Sequence, residues 1–185
     1  CFWAQPAVTA ALRLRRDHAL TAQAIQRIRI HTFHEATRLY AGVPADTQTA
    51  QYALAFPVAA ALVHGRLGPR EVTSPGLEDH AVAALLAHIE VAERPAFSER
   101  FPAQRLAAVS VRLADGREIA SEATEPRGTP GDPMDAAAIR AKFDEYAAPV
   151  LGDRRSAAIA AEVGRLGDPG TRLQGLIERI AAAPD

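Results

Sequence analysis

The side chains able to do chemistry in this chain are few and scattered. Cys1 is the only cysteine. A thiol becomes nucleophilic as its thiolate, which needs a nearby base or an electropositive setting. The neighbouring sequence supplies neither, so Cys1 reads as a small residue ahead of a helix. His31 and His34 stand three positions apart, but a metal site needs further ligands at close spacing and none follows. Both read as surface groups at a strand end. His80 and His88 are eight positions apart, too far to share one ion on a helix. His64 ends an apolar run, where an imidazolium meets the negative end of the helix dipole, a structural role. Glu118, Glu122 and Glu125 fall on the outward side of a hairpin or past it and read as solvated. No GxGxxG or GxxxxGK[ST] phosphate loop occurs, and no GxSxG elbow. On its own residues the chain carries no complete catalytic constellation.

Composition narrows the classes further. The 185 residues fit one domain, or one domain with a helical appendage. Apolar residues make up 48% and aromatics only 5%, so the core must come from close, alanine-lined helix contacts rather than aromatic clusters. Basic and acidic residues number 21 and 22, and no face announces a nucleic acid or an anionic membrane. Lys142 is the single lysine, a bias that fits a GC-rich coding sequence. One cysteine allows no internal disulfide and fits a reducing cytosol. Arginines at 13, 15 and 16 follow Phe2 and Trp3, the wrong order for a secretory leader.

The elements that must position these residues are organised around Ala50 to Gly65. It is the most apolar run in the chain and is expected to be a buried helix. At about sixteen residues it falls short of the roughly 20 that span a bilayer. Upstream, Pro6 to Ala19 has helical spacing, with Pro6 suited to the first turn. Ile25 to Phe33 alternates, with Ile28, Ile30 and Thr32 on one side and Arg27, Arg29 and His31 on the other. Downstream, Leu77 to His88 predicts a short helix, and Ile89 and Val91 a short strand. Leu106 to Leu113, Asp115-Gly116 and Arg117 to Thr124 predict a hairpin. After a turn-rich link, Glu125 to Pro133, three helices are expected. The first, Asp135 to Val150, carries a stripe of Ile139, Phe143, Tyr146 and Val150. The second is Ser156 to Leu166. The last is capped by Asp168-Pro169 and carries Leu173, Leu176, Ile177 and Ile180. The fold class is α+β: an antiparallel sheet of about four strands, helices packed on one face, and a helical C-terminal segment.

Several stretches resemble one known family, and they do so in order along the chain. Tyr52-Ala53-Leu54-Ala55-Phe56-Pro57-Val58-Ala59-Ala60-Ala61-Leu62-Val63-His64-Gly65 is similar to the FSLPYAVAxALLDG helix of the MmgE/PrpD (2-methylcitrate dehydratase) family. Cys1 to Leu14 resembles the segment that follows that family's K-x-Y-P stretch, where a Cys or His precedes a His and then PAIDAALxLR. Residues 25 to 30, IQRIRI, look like its dI-x-x-I-x-V strand. Gly131-Asp132-Pro133-Met134 and Ala141-Lys142-Phe143 resemble its GdPxxPMs and AKF elements. Each is weak alone; their shared order and spacing make the set specific.

The resemblance implies a two-part enzyme, with a large helical N-terminal domain carrying the acid and base. A smaller α+β C-terminal lid closes over the cleft. Residues 1–185 would be that single lid domain, the helical domain being expected upstream and outside this chain. The implied substrates are small polycarboxylates, and the implied reactions are dehydration of 2-methylcitrate, decarboxylation of cis-aconitate or epimerisation of iminodisuccinate. No metal or organic cofactor is implied. The implied setting is a cytoplasmic homodimer. Cys1, Gln5 and Phe56 are the positions the resemblance turns toward the ligand. Gln5 stands where many members have His, Phe56 where they have Tyr, and His64 where they have Asp. Gln5 keeps a hydrogen-bonding amide without a titratable proton, and Phe56 supplies no hydroxyl. These losses leave a second reading open, a non-catalytic packing or dimerisation module.

Overall fold

A computed structural model describes residues 1–182. Two compact units emerge, Cys1–Pro133 and Met134–Asp185.

The first unit is a four-stranded sheet with helices on one face. Its strands are β1 (Ile25–Thr32), β2 (Ile89–Glu93), β3 (Ala107–Leu113) and β4 (Glu118–Ala120), in spatial order β2-β1-β3-β4. The β1/β3 and β3/β4 pairs are antiparallel, the second as the short connection through Asp115-Gly116 requires. Gly116 takes φ 88° there, a conformation open mainly to glycine. The β1/β2 pair is parallel, with Ile28 opposite Ile89 and Ile30 opposite Val91. This corrects the expectation of a wholly antiparallel sheet. The reason lies in the connection: residues 33–88 form a crossover holding several helices, and such a crossover returns the chain in its original direction.

The helices are α1 (Gln5–Asp17), α2 (Thr47–Gln51), α3 (Ala55–His64), α4 (Ser74–Leu77), α5 (His80–Leu86) and α6 (Pro95–Ser98). The long apolar run is therefore interrupted, not one helix from residue 50. Proline cannot donate to the carbonyl four residues back and its ring clashes there, so with Pro57 in place the helix cannot continue through Ala53. Instead Tyr52 and Leu54 exchange main-chain hydrogen bonds with Tyr40, at 3.1 Å each. The far end of α3 closes at Gly65, φ 72°, where Arg15 Nε of α1 donates to the Leu62 carbonyl at 2.9 Å. Asp79 caps α5 by accepting from the amides of Ala81 and Val82.

Ile28, Ile30, Val109 and Val111 point from the sheet into a core filled by Ala7, Ala10 and Ala11 of α1 and Ala59, Ala60 and Ala61 of α3, all buried. Alanine lets the helices approach closely, which is how a chain poor in aromatics fills its interior. A smaller cluster gathers Phe33, Ala36, Phe97, Leu106 and Ala108, with Trp3 and Phe101 against it. Arg27, Arg29 and Arg112 stand on the opposite, open face of the sheet and are exposed.

The second unit holds α7 (Ala136–Leu151), α8 (Asp153–Gly164) and α9 (Leu173–Ala181). Asp135 caps α7 through the Ala138 amide at 2.7 Å. Helix α9 begins at Leu173, with Arg172 ahead of it. Asp168-Pro169 is not its cap but part of a turn, in which the Thr171 amide donates to the Asp168 carbonyl. Arg155 of α8 donates to the carbonyls of Arg179 and Ile180. Only Ser156, Ile159 and Leu176 are buried in these helices. The predicted stripes of α7 and α9 therefore stay largely exposed: Ile139, Tyr146, Val150, Leu173, Ile177 and Ile180 all face solvent. Among the described residues, no helix is long and apolar enough to cross a membrane.

Candidate functional site

The three positions singled out from sequence have different surroundings. Cys1 is half-buried against the main core, and its amine donates to the Gln51 carbonyl at 2.8 Å. Gln5 is exposed at the first turn of α1. Phe56 is 1% exposed, inside the same core against which Cys1 packs. Its ring sits beneath the surface rather than on it.

The hydrogen bond from Cys1 to Gln51 places Cys1 beside the break between α2 and α3. That break displays Tyr52, 60% exposed, and through the shared main-chain bonds it also displays Tyr40. Tyr40 donates its hydroxyl to the Val43 carbonyl at 3.2 Å. The break thus presents two phenols, with Cys1 tethered beside it through its amine. Reading residues 50–65 as one buried helix hid Tyr52. The signal that could have found it is Pro57, which forbids helix four residues earlier.

The open face of the sheet carries a second polar group. Arg27 faces Arg112 across the antiparallel pair, and Arg29 faces Ser110. Like charges directly opposite are unfavourable in a sheet, and acidic neighbours offset them. Glu90 lies 3.2 Å from Arg27 and 2.9 Å from Arg29. The hydrogen bond from Arg29 holds the Glu90 carboxyl below the ordinary carboxylate range. His31, in the same row, is pushed down first by burial and then by Arg29 and Arg94.

A third group joins α3 to the start of α5. Glu71 is 3% exposed, and its Oε2 accepts from the Gly68 amide at 2.7 Å while Oε1 meets Arg66 Nε at 2.9 Å. His64 Nε2 lies 3.2 Å from Asp79 Oδ2. A Cβ on Gly76 would lie 2.3 Å from the Glu71 carbonyl oxygen, so this corner admits only glycine. Every partner here is a loop or cap group, and the cluster is a staple.

His34 Nδ1 lies 3.0 Å from Glu93 Oε2, while His80 opens α5 and His88 follows its end. Among the described residues, no group of three or more His, Cys, Asp or Glu side chains is placed to hold a metal ion.

A cavity of about 170 Å³ lies beside Phe2, lined by Arg105, Glu125 and Thr129 among others. Sequence reasoning missed it, because Phe2, Arg105 and Thr129 come from three separate segments with no spacing in common.

No curated protein matches this sequence. The family model described as MmgE/PrpD C-terminal domain matches residues 1–166, from Cys1 through all of β1–β4 and on through α8. A match over that much of the 185 residues takes in both the edge bearing Cys1 and Gln5 and the sheet behind it. The chain therefore belongs to the MmgE/PrpD family and carries its C-terminal domain.

Proposed function

We propose that this chain is the lid of a cofactor-independent lyase acting on a small tricarboxylate, 2-methylcitrate or a close relative. The observation that carries the reading is the family match across residues 1–166. The reaction is elimination by proton removal beside a carboxylate. Such a step needs a base near its operating pKa and fixed positive groups around the carboxylates. Within the first unit the acid–base pairs described, His64 with Asp79 and His34 with Glu93, serve local structure. The proton-handling groups accordingly belong to an upstream helical domain, and this chain supplies cover and contacts.

Cys1 and Gln5 are the contacts proposed to face the ligand, with Phe56 part of the core against which Cys1 packs. The Gln5 amide can donate and accept at once, which suits a hydroxyl–carboxylate pair on the substrate. Epimerisation of iminodisuccinate, which also removes a proton beside a carboxylate, and decarboxylation of cis-aconitate, in which CO2 leaves and a proton is delivered to the carbon left behind, are the alternative reactions. The test is an assay of the complete protein with all three acids. Turnover of one assigns the reaction; neither turnover nor binding of any removes the substrate claim.

A second reading is favoured by one observation. Ile139, Val150, Ile177 and Ile180 of the helical unit are each more than half exposed, and exposed apolar surface of this kind marks an interface. On that reading this unit makes a homodimer contact, and the lid serves packing. Kinetics and light scattering on the complete protein, with Gln5→Ala and separately with Ile177→Asp, separate the two. Altered kinetics in Gln5→Ala at unchanged mass supports the lid; a lower mass in Ile177→Asp, with Gln5→Ala kinetically unchanged, supports the module.

A further inference from the structure

The cavity beside Phe2 contains a guanidinium held ready on one edge. Arg105 Nη1 donates to the Pro102 carbonyl at 3.1 Å. Its Cζ lies 5.4 Å from the Phe2 ring centroid and 5.7 Å from that of Phe101. Two aromatic rings and one carbonyl therefore restrain the group. Its Nε is buried, and no protein acceptor reaches it. Thr129 also lines the cavity, and its Oγ1 is likewise buried with no protein partner; both atoms are closed to solvent as they stand, so a ligand reaches them only as the side chains covering them part. Buried polar atoms are nearly always paired, so each such atom needs an explanation.

We propose that Arg105 and Thr129 form a binding site for the carboxylate of a small acid. The edge of a guanidinium that carries Nε matches the two oxygens of a carboxylate, forming paired bonds that a point charge cannot reproduce. The Thr129 hydroxyl donates to the same carboxylate. The aromatic contacts remove most of the freedom that an arginine would otherwise lose on binding. At about 170 Å³ the space is far larger than one water needs and smaller than a drug-sized pocket. It takes a small acid or one end of a longer one. Glu125 also lines the cavity and is the competing anion, so a ligand binds only by outcompeting it. The cavity lining includes neither Cys1 nor Gln5, and binding there requires no turnover.

Calorimetry on the complete protein tests this, with succinate as the probe and neutral succinamide as the control, at constant ionic strength. Succinate binds and succinamide does not. Arg105→Lys keeps the charge and stem but loses the paired geometry, and weakens succinate about tenfold. Arg105→Gln abolishes binding, Thr129→Val weakens it about threefold, and Glu125→Gln tightens it. Thermal melts confirm that each variant is folded; Thr129→Val, close to isosteric, keeps the test decisive if an Arg105 variant is not. Equal affinity in the wild-type protein and the folded variants overturns the proposal. So does the absence of saturable succinate binding, or a crystal structure with succinate in which Arg105 Nε is met only by Glu125 or a water. An enzyme inactive on all three polycarboxylates that still binds succinate through Arg105 keeps this site and loses only the substrate assignment.

Discussion

Replacing Phe56 by tyrosine asks whether that ring belongs to the interior or to a ligand cavity. The ring is 1% exposed and packed within the main core. A tyrosine hydroxyl there enters apolar surroundings, and burying a hydroxyl without a partner costs about 1–3 kcal/mol in proteins. The additional atom must also be fitted into a close-packed site, which adds a further penalty of about 1 kcal/mol or more. The expected loss is therefore about 2–3 kcal/mol, a large part of the stability of an ordinary domain. With a urea slope of about 1–3 kcal/mol per molar, the unfolding midpoint drops by about 1 M. Phe56→Ala sets the upper bound at about 3–5 kcal/mol, from the cavity it leaves. The assay is urea unfolding followed by circular dichroism, with the slope unchanged so that the midpoint reports stability alone. A tyrosine variant within about 0.5 kcal/mol of wild type, the range of ordinary surface substitutions, refutes the reasoning. The hydroxyl would then have found water or a partner, and the ring would line an accessible space.

Two other perturbations are equally specific. Glu71→Leu leaves the Gly68 amide and Arg66 without their acceptor and should cost about 2–4 kcal/mol in urea unfolding; Glu71→Gln, which keeps an acceptor for Gly68, should cost about half as much. Arg29→Ala should raise the pKa of His31. Burial, Arg29 and Arg94 hold that pKa below 6.5, and Glu90 alone pulls it up. Removing Arg29 lifts one cation and frees Glu90 to act, so an NMR titration of the imidazole should move upward, and a fixed or falling value refutes the assignment. Because the folded pKa is depressed, the neutral imidazole is the form folding favours. Its contribution is present above pH 6.5 and is lost as pH falls from there through the folded value.

Features encoded locally were legible in the sequence. The alternation of Ile28, Ile30 and Thr32 against Arg27, Arg29 and His31 identified both the strand and its buried side. Asp115-Gly116 identified the hairpin, although the loop is longer than the two-residue turn: Ala114, Asp115 and Gly116 lie between Leu113, whose amide donates to the Arg117 carbonyl, and Arg117, with only Gly116 of the three at positive φ. Features made between distant segments were not legible. Alternation says nothing about the direction of a partner strand, so the parallel β1/β2 pair was missed. The apolar run from residue 50 suggested one helix because hydrophobicity outweighed the local veto of Pro57. The stripes of α7 and α9 were read correctly as periodic, but periodicity does not reveal what covers a stripe. The ligand-facing positions came from family resemblance, and it could not show that the Phe56 ring lies under the surface. Arg105 and Thr129 had no pattern at all, since a cavity built from three loops leaves no period in the chain.

The parallel pairing of β1 with β2 bears on the order in which the first unit assembles. The β3/β4 hairpin closes over a handful of residues and can form early. Ile28 and Ile89 meet only after the whole stretch between them has been drawn together. Loop-closure entropy for so long a segment must be met before the pairing returns any energy. The helices between them therefore act as a spool, taking up slack until the edge strand comes within reach. On this argument strand β2 should join last and leave first. Its amides should exchange with solvent through partial openings that leave the hairpin and the alanine-lined helices intact.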